Sequence, residues 1–543
     1  MVQREPQAEA NEFDRDACEE VSRMHLPRLS GTRPMEDSVL AFKGLHATDQ
    51  AGKGEFTAMQ NMTGDRFPLL CPRAPRGTVR ELTKANGLLA REKLFWIDGT
   101  EAFYGGEKIG DVTDSEKQLL SMGAYVLIFP DKKYYNTADG TFGEMENKVT
   151  VQAASWKQSF LTETEQDGEG QIYIQISGGG IDKGFQKGDG VEISGCKEGA
   201  LNGTHIIKDA GAGWIKIVAA IDKDGSQETA LTVERRLPEM DFLTVAENRL
   251  WGCSSKEHEI YASKIGDFKN FYCFEGTAAD SYAATIANDG EFTGAITYLG
   301  YVLFFKENSV HKVYGSKPSN FQIVEGQLRG VERGSSHSLQ IVNEVLYYKS
   351  CEGVMSFQGS LPYDVGEALG SGYTAACAGT VGNKYYISMK KDGTYHLFVY
   401  DTAKGLWHRE DETEARFFAK DGGTLYYVEG NTIKTAKGAD KEVIEWLAET
   451  TDMDYQTTSG KFISRLALRC EVEGGAALEV WIDYDSRGAW QRLKSLSGGR
   501  KRLWNVPLVP RRCDHFRLRF SGYGACAIHS LTISLATGSA ERR

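Results

Sequence analysis

One local pattern recurs along the chain and constrains its fold more than any motif. Residues 296–321 (ITYLGYVLFFKENSVHKVYGSKPSNF) read as an apolar strand, a turn at Gly300, the apolar run Tyr301–Phe305, a charged elbow at Lys306–Ser309, and a strand ending in Val313-Tyr314. The same grammar returns over 89–105, 122–137, 246–263, 342–358, 381–400 and 422–435. Each copy is a hydrophobic hairpin too small to bury its own faces. A chain of such hairpins predicts a β-repeat architecture in which the sheets pack radially and leave only short edges.

The spacing sharpens this reading. Over 238–440 successive hairpins start near Phe242, Ile296, Leu339, Ala378 and Phe417. After the first gap that is about forty residues per repeat, the size of a propeller blade. The repeat regions 84–145 and 238–440, at roughly 42 residues per blade, predict a β-propeller of about six blades. Composition agrees: 60 Gly, 24 Tyr and 25 Phe against 12 Pro suit many short strands joined by tight turns. At 543 residues the chain exceeds a single core, so further domains are required.

Three segments fall outside the repeat. Residues 1–83 read as an extended N-terminal arm, with a short helix over 9–24. Its Phe56, Met59, Met62, Phe67, Leu69 and Leu70 call for something to bury against. Its Arg66, Arg73, Arg76 and Arg80 read first as salt-bridge partners for a neighbouring blade or subunit, and second as binders of acids or phosphates. Residues 146–237 hold six short strands with Gly/Asp turns, an inserted β-barrel or sandwich between blades. Residues 441–543 alternate over 462–472 (FISRLALRCEV) and continue through 478–483 (LEVWID), 515–520 and 527–535. This predicts a C-terminal jelly-roll-like β-sandwich and a frayed end over 537–543. The fold class is therefore all-β.

The sequence carries few motifs of chemical function. The ten cysteines (Cys18, Cys71, Cys196, Cys253, Cys273, Cys351, Cys377, Cys470, Cys513, Cys526) form no CxxC and no zinc spacing with histidine, so they read as buried free thiols in a reducing compartment. Gly178-Gly179-Gly180 lacks the Lys-Ser/Thr and the helix of a phosphate loop. Asp222-Lys223-Asp224-Gly225 starts like a calcium loop but lacks its third acid and flanking helices, and reads as a turn. The carboxylate pairs Glu410/Asp411 and Asp483/Asp485 read as solvated turn residues. The first twenty residues carry no apolar signal stretch, and no apolar run reaches membrane-spanning length. No catalytic, cofactor-binding or metal-ligating residue is expected, and the chain reads as a non-enzyme. Propeller glycosidases, which need only two carboxylates, keep an enzymatic alternative open.

Several segments, in order, resemble one family. Gly54-Glu55-Phe56, Asn61-Met62-Thr63, Phe67-Pro68, Pro72-Arg73 and Arg76 resemble its GEF-x-D-M-x-N and YP-x-L-x-x-R segment. Asn248-Arg249-Leu250-Trp251, Ile260-Tyr261-Ala262-Ser263 and Gly266-Asp267-Phe268-Lys269-Asn270-Phe271 resemble its NRLW…VYWS…GDP-x-DF blade. Leu303-Phe304-Phe305-Lys306-Glu307 with Val313-Tyr314-Gly315, and Gly353-Val354-Met355-Ser356-Phe357-Gln358-Gly359, resemble its LVVFKE and DGIYRFDG elements. The family is the tail nozzle (tail tubular protein B type) of short-tailed bacteriophages, the podoviruses, and the resemblance spans about 50–440. Lys269 and Cys351-Glu352 depart from its turns.

The resemblance implies a structural virion protein, assembled in the bacterial cytoplasm into a homohexameric ring of the tail tube. Its partners would be the adaptor and portal-proximal ring, tail-fibre or tail-tip proteins, and double-stranded DNA that passes through the lumen during ejection without specific binding. The net charge of −12 fits a lumen that repels phosphates; a lumen lined mainly by Lys and Arg would sink that idea. Alternatives are a phage tail or baseplate adhesion protein, or a carbohydrate-active β-propeller.

Overall fold

The computed structural model describes residues 35–159, 173–457 and 460–537. The helix read over 9–24, Cys18 and the tail beyond 537 lie outside them. The chain is an all-β protein built on a β-propeller. Among the described residues the ring holds seven four-stranded antiparallel blades: 85–111, 118–144, 242–285, 294–327, 340–364, 374–409, and 415–435 completed by Gly77–Glu81. This is one more than the six given by average repeat length. Blade 5 closes within 340–364, shorter than the average, and blade 7 takes its outer strand from a segment outside both repeat regions. That strand, paired through Thr432↔Glu81 and Thr435↔Gly77, joins the two ends of the ring.

The apolar runs owe their continuity to radial packing. Tyr301–Phe305 is buried on both faces after its first residue. Val302 and Phe304 pack with Trp251, Cys253 and Ile260 of blade 3. Leu303 and Phe305 point the other way, into Leu346 and Tyr348 of blade 5. A strand that faces a neighbour on each side shows no polar alternation. Tyr125–Phe129 repeats the arrangement, with Val126 and Ile128 against blade 1 and Leu127 and Phe129 against blade 3. Gly300, at φ 78°, sits at the tip between two strands, where a side chain would be strained.

Between blades 2 and 3 the chain makes two further sheets. One runs Asn147–Val151, Leu231–Arg235, Gly190–Ser194, Gly203–Ile206; the other centres on Trp214–Val218, Tyr173–Ser177 and Ala154–Ser159. Trp156, Ile174, Ile176, Val191, Ile215 and Val233 close their shared core.

The C-terminal residues form one curled eight-stranded sheet. Its spine is the 24-residue strand Lys461–Tyr484. One edge of the spine pairs with Cys526–Thr537 along its first half and with Phe516–Tyr523 along its second. Side chains of both halves, among them Leu466, Leu468, Leu478 and Val480, meet Phe520 and Ile533 in one core, which gives the sheet its sandwich-like cross-section.

The arm is part of this sheet. Met35–Val39 pairs with Cys526–Thr537, and Glu55–Gln60 pairs with Glu445–Thr450. Phe56, Met59, Met62 and Leu70 are buried there, whereas Phe67 is 37% exposed and lies beside Lys404. No described helix is long and apolar enough to cross a membrane.

Candidate functional site

The inner strands of the seven blades surround an axial cavity of about 600 Å³, lined by Leu88, Leu119, Phe242, Ile296 and Phe418 among others. At one end three residues from distant segments converge. Glu116, between blades 1 and 2, meets His337 Nε2 at 3.5 Å and Arg416 of blade 7 at 3.3 Å. The hydrogen bond from His337 holds the Glu116 carboxyl below its usual range despite partial burial, with Arg416 adding to the effect. Both carboxylate oxygens are engaged, so Glu116 is a strut across the channel mouth rather than a free base. A cavity of this size suits a small organic molecule, and a nucleic-acid duplex cannot pass along it.

A second constellation lies where arm, propeller and C-terminal sheet meet. Arg76 Nη2 reaches Glu410 Oε2 at 2.7 Å and Asp411 Oδ2 at 2.8 Å. Arg73 Nη2 reaches Glu442 at 2.9 Å and Asp411 at 3.3 Å, and its Nε donates to Asn61 Oδ1 at 2.7 Å. The Arg76 guanidinium also lies 5.3 Å from the Tyr427 ring centroid. Burial penalises Asp411, but Arg76 and then Arg73 outweigh it and keep its pKa low; complete burial pushes Glu410 up. Of these two acids, expected from sequence to be solvated, Glu410 is buried in this clasp and Asp411 half-buried. Asp483 is likewise buried and pairs with Arg517 at 2.8 Å. In each case an arginine from another segment pairs with the acid as the fold withdraws it from solvent. Arg66 pairs with Glu471 at 2.8 Å, and Arg80 lies over Trp96 and Phe103. The four arm arginines thus face this same chain.

A third group fastens the inserted domain. Asn270, in the loop of blade 3, donates from Nδ2 to Gly188 O at 2.7 Å and accepts from Gly190 N at 3.2 Å. Beside it Arg235 pairs with buried Asp189 at 2.7 Å. The loop itself is gathered by Arg249, fully buried, which donates to the carbonyls of Ser263 and Ala278 (2.7 Å each) and of Asp280.

Cys273, Glu275 and Asp280 in this loop have ligand atoms within 4.8 Å of one another. Their chemistry is nevertheless that of a turn. Asp280 Oδ2 accepts from the backbone N–H of Glu275 (2.5 Å), Gly276 (2.7 Å) and Thr277 (3.2 Å), and Glu275 pairs with Lys208. The elbow Lys306-Glu307 is also structural: Lys306 donates to Asn288 O at 2.6 Å, and Glu307 accepts from Arg333 N at 3.3 Å. Asp224, in the calcium-like stretch, accepts from Gln158 N at 2.9 Å. The nine described cysteines are free thiols, all buried except Cys351.

No protein-family model and no curated protein sequence matches the chain. Solved structures similar to it include BamB from Moraxella catarrhalis, at 10% identity and TM-score 0.31 over 67% of this chain and 97% of that one. The phage phi92 endosialidase is similar at 9% identity and TM-score 0.24, over 72% of this chain and 74% of that one. The N-terminal domain of Nup159 is similar at 11% identity and TM-score 0.24, over 38% and 58%.

Proposed function

We propose that this chain is a structural, non-enzymatic subunit of a short-tailed bacteriophage tail, a nozzle-type protein whose copies form a ring for DNA ejection. The observation that supports the reading is where the family-like segments lie. Residues 54–76 supply Arg73 and Arg76 to the clasp. Residues 248–271 supply Arg249 and Asn270, which gather the blade 3 loop and dock the inserted domain. Residues 303–315 and 353–359 form the facing strands of blades 4 and 5. The resemblance therefore falls on the joints between parts of the chain, as a role under mechanical stress demands.

The conduit in this reading runs between copies, because the propeller's own axis holds only about 600 Å³ and is crossed by Glu116. A homohexamer between the adaptor and the tail-fibre or tail-tip proteins would enclose DNA without binding its sequence. Mass photometry and two-dimensional class averages of the purified chain test the proposal. A six-fold ring with a central hole supports it. A persistent single copy that binds or hydrolyses a glycan overturns it in favour of an adhesion or carbohydrate-active protein.

A further inference from the structure

The segment 491–513 (QRLKSLSGGRKRLWNVPLVPRRC) carries seven cations and no acid in a chain whose net charge is −12. Its strand, Gln491–Val506, pairs along one side with Lys461–Tyr484 and with no other described strand, so its far edge is open. Arg492 pairs with Glu479 at 2.8 Å. Lys494, Arg500, Lys501, Arg502, Arg511 and Arg512 form no ion pair among the described residues, and all but half-buried Lys494 are exposed. Arg502 lies 3.4 Å from the Trp504 ring centroid, which holds the cation outward on a rigid platform. One or two charges suffice to keep an open edge from pairing; six unpaired ones exceed that need.

The opposite charge sits at one end of the propeller. The turns that leave each blade's first and third strands share that end by topology. They carry Glu92, Asp139, Glu247 and Glu344, with Glu107 and Asp421 on the adjoining strand ends, all exposed and without an ion pair among the described residues; they outnumber the exposed, unpaired Lys93, Lys317 and Lys420 at the same end.

We propose that the open edge over 491–513 docks on this acidic propeller end of a second copy of the chain. The inference rests on the ring-forming reading and names its seam. Two features favour a protein surface over a nucleic acid. Leu503, 47% exposed, and Val509, 83% exposed, are interleaved with the cations and need apolar cover that phosphates do not give. The complementary charge is also already present on the same molecule. Because the two surfaces differ, the contact is head-to-tail and closes into a ring when the rotation permits.

The test uses full-length chains with mass photometry at low and high salt. Wild type assembles, less so at high salt. Arg500→Glu/Lys501→Glu/Arg502→Glu, and separately Glu247→Lys/Glu344→Lys/Asp421→Lys, each raise the half-assembly concentration by more than about tenfold while melting as wild type does. Mixed one to one, the two variants reassemble, since each then meets an opposite charge. Arg511→Glu/Arg512→Glu, off the strand, repeats the loss if the triple variant folds poorly. Undiminished rings from the ribbon variants overturn the seam and leave the ring reading standing. Single copies of wild type at every concentration overturn both. A monomer whose ribbon instead binds a DNA duplex, lost in the triple variant, overturns the choice of a second copy.

Discussion

Arg76 and Asp411 meet at 2.8 Å although 335 positions separate them in the chain. The contact joins the arm, which feeds blade 7 its outer strand, to the loop that leaves blade 6. Arg76 is 6% exposed and Glu410 4%, so removal of the guanidinium strands the buried Glu410 without a counter-charge, while Asp411 keeps Arg73 at 3.3 Å. Arg76→Ala should cost about 3–5 kcal/mol, the range for breaking a buried pair from one side. Arg80→Ala, which loses cation–π contacts with Trp96 and Phe103, should cost about 0.5–1 kcal/mol. Urea midpoints at constant slope read both; equal losses would show that the clasp does not lock the ring.

The apolar runs of the blades were legible because burial on both faces writes itself into the sequence as unbroken hydrophobicity, as in Tyr301–Phe305. The strand Gly77–Glu81 was not, since four of its five residues are exposed and its pairing with Thr432–Thr435 supplies the order it has. The spine Lys461–Tyr484 reads in sequence as two strands because Gly474-Gly475 interrupts the alternation, whereas the backbone runs through that point as a bulge. The clasp stayed hidden for a different reason. Charges that pair across hundreds of residues look the same in sequence as charges that face water.

Acid should loosen the arm by a defined route. Asp65 binds Lys384 and, at 2.6 Å, Lys437. Burial opposes its charge, but the two lysines lower its pKa to about 2 from 3.8. A carboxyl with a depressed folded pKa favours the fold in its charged form. That contribution is complete above pH 3.8 and is lost as pH falls toward about 2. Asp65→Asn should therefore lower the melting temperature at neutral pH and flatten its decline between those two values. An unchanged acid profile would assign the decline to other carboxylates.

Thiol chemistry should separate one cysteine from the rest. Burial raises the pKa of Cys71 and Cys470 to about 11, and partial burial with Glu307 raises that of Cys351 as well, so what sets Cys351 apart is its exposure to reagent. In a Cys18→Ser background, Ellman's reagent should titrate one thiol in the native protein and, after denaturation, the nine that remain. More than one fast native thiol would mean that a blade opens readily.

Asn270 is fully buried and serves two backbone groups of the inserted domain at once, as donor to Gly188 O and acceptor from Gly190 N. Asn270→Ala leaves Gly190 N without its buried acceptor and Gly188 O with Lys264 Nζ alone, at 3.4 Å, a loss of about 1–3 kcal/mol. The loss should be local. The insert has its own core around Ile174, Ile176, Ile215 and Ile217, so it keeps its fold when its anchor weakens. Hydrogen exchange should then accelerate over 186–190 and 205–208 while the inner strands of the blades stay protected. Gly190→Ala attacks the same joint by crowding, because a Cβ there would lie 2.3 Å from Tyr272 O. If both variants leave exchange over 186–190 unchanged, the insert is held by Lys208–Glu275 and by Lys264 on Gly188 O, and not by Asn270. If exchange quickens throughout the blades as well, the insert is a structural wedge in the ring rather than a domain docked upon it.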